Sequence, residues 1–169
     1  MKLLRHGPIG AERPGLLAAD GTIRDLTGIV PDIGGAVLSD AGLSALRGID
    51  TAALPVVDPA TRLGPCVAGT GKFICIGLNY ADHAAESGMA VPPEPVIFMK
   101  ATSAICGPND PIIIPRGSEK TDWEVELGIV VGKRASYLDS VADAADYRTE
   151  YVDRAEGRTP RIYGTPYWD

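Results

Sequence analysis

The sequence predicts a mainly β protein of the α+β class. Short apolar runs recur along it, among them KFICIG, VIFMK, IIIP and ELGIVVG. Glycine and proline, 20 and 14 of the 169 residues, separate these runs. The links between them are mostly loops, and parallel βαβ crossovers need longer helices, so antiparallel or mixed pairing is favoured.

The elements follow in chain order. Residues 2–5 make a first strand. GLLAADGTIRDL supplies two more around Asp20-Gly21, a dipeptide that tolerates the positive φ of a tight hairpin turn. Ser39 is placed to cap a short helix that turns Leu43 and Leu46 inward. Residues 54–71 are rich in Pro, Gly and Thr, with Pro55, Pro59 and Pro65 closing off regular structure. They set the limit of a small β-rich N-terminal domain, 1–69. A second domain, 70–146, opens with a buried strand over 73–76. ADHAAESG then makes a helical turn that Gly88 can end. VIFMK is a strand, GPNDP a turn, IIIP a short strand, and TDWEVELGIVVG the longest strand. SYLDSVADAADY has a helical spacing of Val141, Ala144 and Ala145. Residues 147–169 hold four of the six tyrosines and show neither strand alternation nor a helical stripe, so a core role is not expected there.

Composition narrows the function classes. The chain is 45% hydrophobic and 22% charged, ordinary for a globular protein. A net charge of −6 and a pI near 4.9 speak against a nucleic-acid partner. No apolar run is long enough to span a bilayer, and MKLLRHGPIG lacks the apolar stretch of a signal peptide. Cys66, Cys75 and Cys106 lack metal-type spacing and read as small core residues in a reducing, cytoplasmic compartment.

Three groups of residues carry possible chemistry. In a strand, Glu124 and Glu126 project to one face about 7 Å apart. Two carboxylates so placed can share a hard cation such as Mg²⁺ or Mn²⁺. The pair also fits the solvent-facing edge of an amphipathic strand, with Trp123, Val125, Leu127 and Ile129 toward the core. His83 and Glu86 fall on one face of a helical turn. A carboxylate beside an imidazole raises its basicity, as a general base acting on water requires, though an ordinary surface contact has the same spacing. Lys100 ends the VIFMK strand, where its amine can hold a substrate carboxylate or simply reach solvent. His6, beside a Gly-Pro turn, reads as structural or exposed.

Taken in order, GLNYADHAAESG, PPEPVIFMKATSAICGPND, the isoleucine run and DWEVELGIVVG resemble the fumarylacetoacetate hydrolase family. The N-terminal stretch is similar to the small first domain of bacterial members described as ureidoglycolate lyase-like or as diketo-acid hydrolases. The resemblance implies a β-roll catalytic domain, usually a homodimer, with one Mg²⁺ or Mn²⁺. It assigns Glu124 and Glu126 to the metal and His83 and Glu86 to activation of water. Lys100 matches a recurrent family lysine and is taken as a substrate-binding residue. The implied reaction cleaves a C–C bond of a small 2-oxo acid by metal polarisation and attack of water. The family pattern continues with a G-Y-x-x-x-N-D-V-S-type segment whose Asp is a third metal ligand, and this sequence does not carry it. The β-roll is therefore expected to be incomplete, truncated after the E-x-E strand. An inactive truncated fragment, or a non-catalytic binding domain, is the alternative.

Overall fold

The computed structural model describes residues 1–121, 124, 126–140, 142 and 143, and the backbone of residues 148–153. Its first unit is a three-stranded antiparallel sheet in the order β1 (Lys2–His6), β2 (Arg13–Leu17), β3 (Ile23–Asp25). The β2–β3 hairpin turns at Gly21, whose φ is 81°. Asp20 fixes the turn by accepting from the Thr22 amide at 2.9 Å and its hydroxyl at 2.6 Å. Helix α1 (Asp40–Arg47) starts at Ser39, whose hydroxyl accepts from the Gly42 amide at 3.2 Å. Leu43 and Leu46 face inward as expected and join Leu16, Leu26, Ile33 and Leu38 in the core cluster. His6 is also buried, its Nε2 3.8 Å from an Asp25 oxygen. Gly15 leaves room for that ring, because a Cβ there would lie 2.9 Å from His6 Cδ2.

Ion pairs tighten this unit. Arg5 holds Asp32 through two bonds of 2.7 and 3.0 Å. Burial pushes the Glu12, Asp25 and Asp32 carboxyls up, but hydrogen bonds and nearby positive charge outweigh it and leave all three below their ordinary values. Asp20 is held down to about 2 by bonds from Thr22 and Arg24. A carboxyl with a lowered folded pKa stabilises fully above its unfolded value and loses that contribution as pH falls through the folded one. Denaturant midpoints should therefore hold down to about pH 5 and fall between about pH 4 and pH 2. A midpoint at pH 2.5, on the order of two units lower, equal to that at pH 5 would contradict this origin of acid sensitivity.

The second part is built from hairpins. Strand β4 (Phe73–Gly77) pairs antiparallel with β5 (Val96–Lys100), Phe73 opposite Lys100 and Gly77 opposite Val96. Between them lies α2 (Ala81–Glu86), ended by Gly88 at φ 66°. Strand β6 (Leu127–Val131) pairs antiparallel with β7 (Arg148–Asp153). Short 3-10 turns occupy Gly35–Leu38, Thr51–Ala53 and Thr102–Ala104.

The two parts are tied together. The Arg62 guanidinium grips Asp110 with bonds of 2.7 and 2.6 Å and donates to Glu12 at 3.0 Å. Asp110 closes the GPND turn by accepting from the Gly107 amide at 2.7 Å. Gly107 lies so close to the Leu63 carbonyl that a Cβ would come within 2.2 Å of it. Val130 of β6 packs on the core cluster of the first unit, and Lys133 pairs with Asp40.

Several expectations are corrected. The strand anticipated over 121–132 is only Leu127–Val131, so Glu124 and Glu126 precede it. Its Leu127 and Ile129 face is exposed, and Val130 on the opposite face is the one that packs inward. Strand β4 forms but is not buried: Phe73, Ile74 and Ile76 are exposed, as are Val96 to Met99 of β5. Ile112, Ile113 and Ile114 make no strand and lie exposed, because Pro111 and Pro115 bracket them and among the described residues no partner strand accepts their ladder. Residues 148–153, for which no strand alternation was seen, do form β7, since the β6 edge offers unpaired backbone groups to meet. The three cysteines are half-buried rather than core thiols, with no disulfide. Trp123, Val125, Val141, Ala144 and Ala145 lie outside the described residues.

Candidate active site

The hairpin β4–β5 and the segment at 124–127 frame the site. Lys100, at the last position of β5, donates to a Glu124 carboxylate oxygen and forms an ion pair with it. That bond holds the Lys100 ammonium above its ordinary 10.5 despite partial burial, with the Glu124, Cys75 and Glu126 charges acting the same way. Glu126 is an exposed residue whose carboxyl is nevertheless partly desolvated. That burial raises it above 4.5, the Glu124 carboxylate adds to the rise, and Lys100 and His83 offset only part. Glu126 is thus influenced by Glu124, Lys100 and His83, and Lys100 by both glutamates.

Helix α2 presents His83 and Glu86 on its exposed surface, while Ala84 is buried beneath. The Asp82 carboxylate accepts from the His83 amide at 2.9 Å. Among the described residues no hydrogen bond joins His83 to Glu86; the carboxyl that feels the imidazole charge is Glu126. Leu78 enters this turn with φ 52°, a left-handed conformation that costs a β-carbon residue roughly 1–3 kcal/mol. The Tyr80 hydroxyl accepts from the Leu127 amide at 3.3 Å. Tyr80 therefore ties the start of α2 to the residue after Glu126, a positioning role that its place in the GLNYADH stretch signals only by closeness to His83. Glu124 thus lies by Lys100, at one end of the hairpin, and Leu127 by the loop that leaves the other.

Two neighbouring carboxylates that already draw a lysine ammonium are a fitting donor set for a hard cation. Mg²⁺ keeps several waters and is commonly held by one or two carboxylates, so the chemistry of Glu124 and Glu126 is compatible with such an ion. Among the described residues no group of three or more His, Cys, Asp or Glu side chains forms a metal-type cluster.

The sequence of residues 72–152 matches the model of the fumarylacetoacetate (FAA) hydrolase C-terminal domain. That stretch contains every group of the site just described. Residues 72–152 are thus similar to the fumarylacetoacetate hydrolase family. The chain's relatives include a protein of Burkholderia lata provisionally named a hydrolase, 59% identical over an alignment that covers all of this chain and 60% of the relative. A similarly named Burkholderia multivorans protein is 58% identical with the same coverage. The chain thus spans 60% of the length of the curated relatives it matches. Among solved structures, a provisionally named HpcE protein from Mycobacterium smegmatis superposes with a TM-score of 0.66 at 28% identity, covering 89% of this chain and 53% of that one. A fumarylacetoacetate hydrolase from Exiguobacterium antarcticum gives a TM-score of 0.63 at 31% identity, with the same coverage. The family fold in this chain is mainly β with few helices, and about half of each solved family structure is represented. Among the described residues no helix is long and apolar enough to cross a membrane.

Proposed function

We propose that this chain is a metal-dependent hydrolase or lyase of that family that cleaves a C–C bond in a small 2-oxo (diketo) acid. The observation that carries this reading is the Lys100–Glu124 ion pair, with Glu126 within electrostatic reach of both and of His83. Glu124 and Glu126 would hold Mg²⁺ or Mn²⁺. The bound ion would supply Lewis-acid polarisation of the substrate's 2-oxo acid end. His83 takes a proton from water as the water oxygen bonds to the distant carbonyl carbon. When the C–C bond breaks, its electron pair stays on the carbon next to the 2-oxo group, and His83 returns the proton there. Glu86, on the same helix, would support the imidazole's positive charge once its side chain turns toward the ring, a contact absent from the resting arrangement of the described residues. Lys100 receives the substrate carboxylate.

The exposed apolar faces of β4, β5 and residues 112–114 support a homodimer. The thiol state of the cysteines fits a cytoplasmic protein. The test is the purified chain with Mn²⁺ or Mg²⁺ and a panel of acylpyruvates, followed by loss of substrate absorbance. Cation-dependent release of a 2-oxo acid is the expected result. Cation binding without turnover would favour a non-catalytic binding domain, and absence of both would remove the reading for this chain.

A further inference from the structure

We propose that Lys100 is a built-in counter-ion for the carboxylate pair, which it leaves when a divalent cation is loaded. This rests on the metal reading of Glu124 and Glu126. The Lys100 ammonium bonds the Glu124 carboxylate directly, although 24 residues separate them. Both side chains are open to solvent, at 39% and 55% exposure. Two adjacent carboxylates repel each other, and among the described residues Lys100 is the cation bonded to the pair. An exposed ammonium–carboxylate pair is weak, so Lys100 neutralises Glu124 without locking it. The same oxygen cannot bond the lysine and a hard cation at full strength together. On loading, Lys100 swings free at the end of β5 and becomes available to an anionic group. Cation binding and capture of a carboxylate by Lys100 are therefore coupled, each favouring the other. Lys100 is thus a positioning residue before it is a ligand for substrate.

The experiment is Mn²⁺ titration by calorimetry of the full chain and of Lys100→Met, Lys100→Arg and Glu124→Gln. Lys100→Met should bind Mn²⁺ about fivefold more tightly than the parent. Lys100→Arg, which keeps the charge, should stay within about twofold. Glu124→Gln should bind much more weakly than the parent. A second measurement needs no variant: amine labelling of Lys100 in the parent chain, read by peptide mass spectrometry, should quicken when Mn²⁺ is added. Parent binding with Lys100→Met equal or weaker, or labelling unchanged by bound Mn²⁺, would overturn the role of Lys100 and leave the metal reading standing. Failure of both parent and Lys100→Met to bind Mn²⁺ would instead remove the metal reading, and the counter-ion role with it.

Discussion

Replacing His83 by glutamine is expected to lower kcat on an acylpyruvate by about 10²- to 10⁴-fold, the usual worth of a general base. Glutamine keeps the size and hydrogen-bonding capacity of the side chain but cannot take up a proton at neutral pH. His83 is exposed on α2, so the substitution leaves buried Ala84 and the packing beneath it intact. Its imidazole influences the Glu126 carboxyl, so on the proposed reading the proton acceptor stands beside the cation ligands. Mn²⁺ affinity should therefore change little while turnover collapses. Steady-state kinetics and calorimetry on the same preparation check both halves, and a kcat within about threefold of the parent would exclude His83 as the base.

Leu26→Ala should be the most damaging change to stability, by about 2–5 kcal/mol. The side chain is fully buried, with 0% exposure, in the cluster it forms with Leu16, Ile33, Leu38, Leu43 and Leu46. Its backbone is fixed as well: the amide donates to the Pro14 carbonyl at 2.9 Å, and its carbonyl accepts from Ile29 and Val30. A site anchored on both sides cannot collapse around the lost methyl groups, so the cavity term stays large. Urea unfolding would measure the loss as a lower midpoint with an unchanged slope. A change below about 1 kcal/mol would mean that the first unit is not the stabilising core of the chain.

How much of this was legible in the sequence follows from how local each signal is. The Asp20-Gly21 hairpin, the Ser39 cap, the inward pair Leu43 and Leu46, and the turn ended by Gly88 are each written in a few adjacent residues, and each is present. The strand over 121–132 was overextended because alternation alone does not mark where pairing stops, and pairing with β7 begins only at Leu127. The isoleucine run failed as a strand for a related reason: β-branched residues favour a sheet only where a neighbour supplies the ladder. At the site, His83, Lys100, Glu124 and Glu126 stood out by residue type and order. The Lys100–Glu124 bond and the Tyr80–Leu127 bond did not, since both depend on how distant segments meet.

The Arg62–Asp110 grip also bears on the order in which the protein is made. All six members of the buried cluster lie before residue 47, and the strand pairs around them join near neighbours in the chain. Such local pairings form quickly, whereas a ribosome adds only roughly 5–20 residues per second. The first unit can be assembled, with Arg62 in place, before Asp110 has been synthesised. The newborn GPND turn then docks on a finished surface, and the two glutamates emerge after it. Translation thus builds the scaffold before the chemistry.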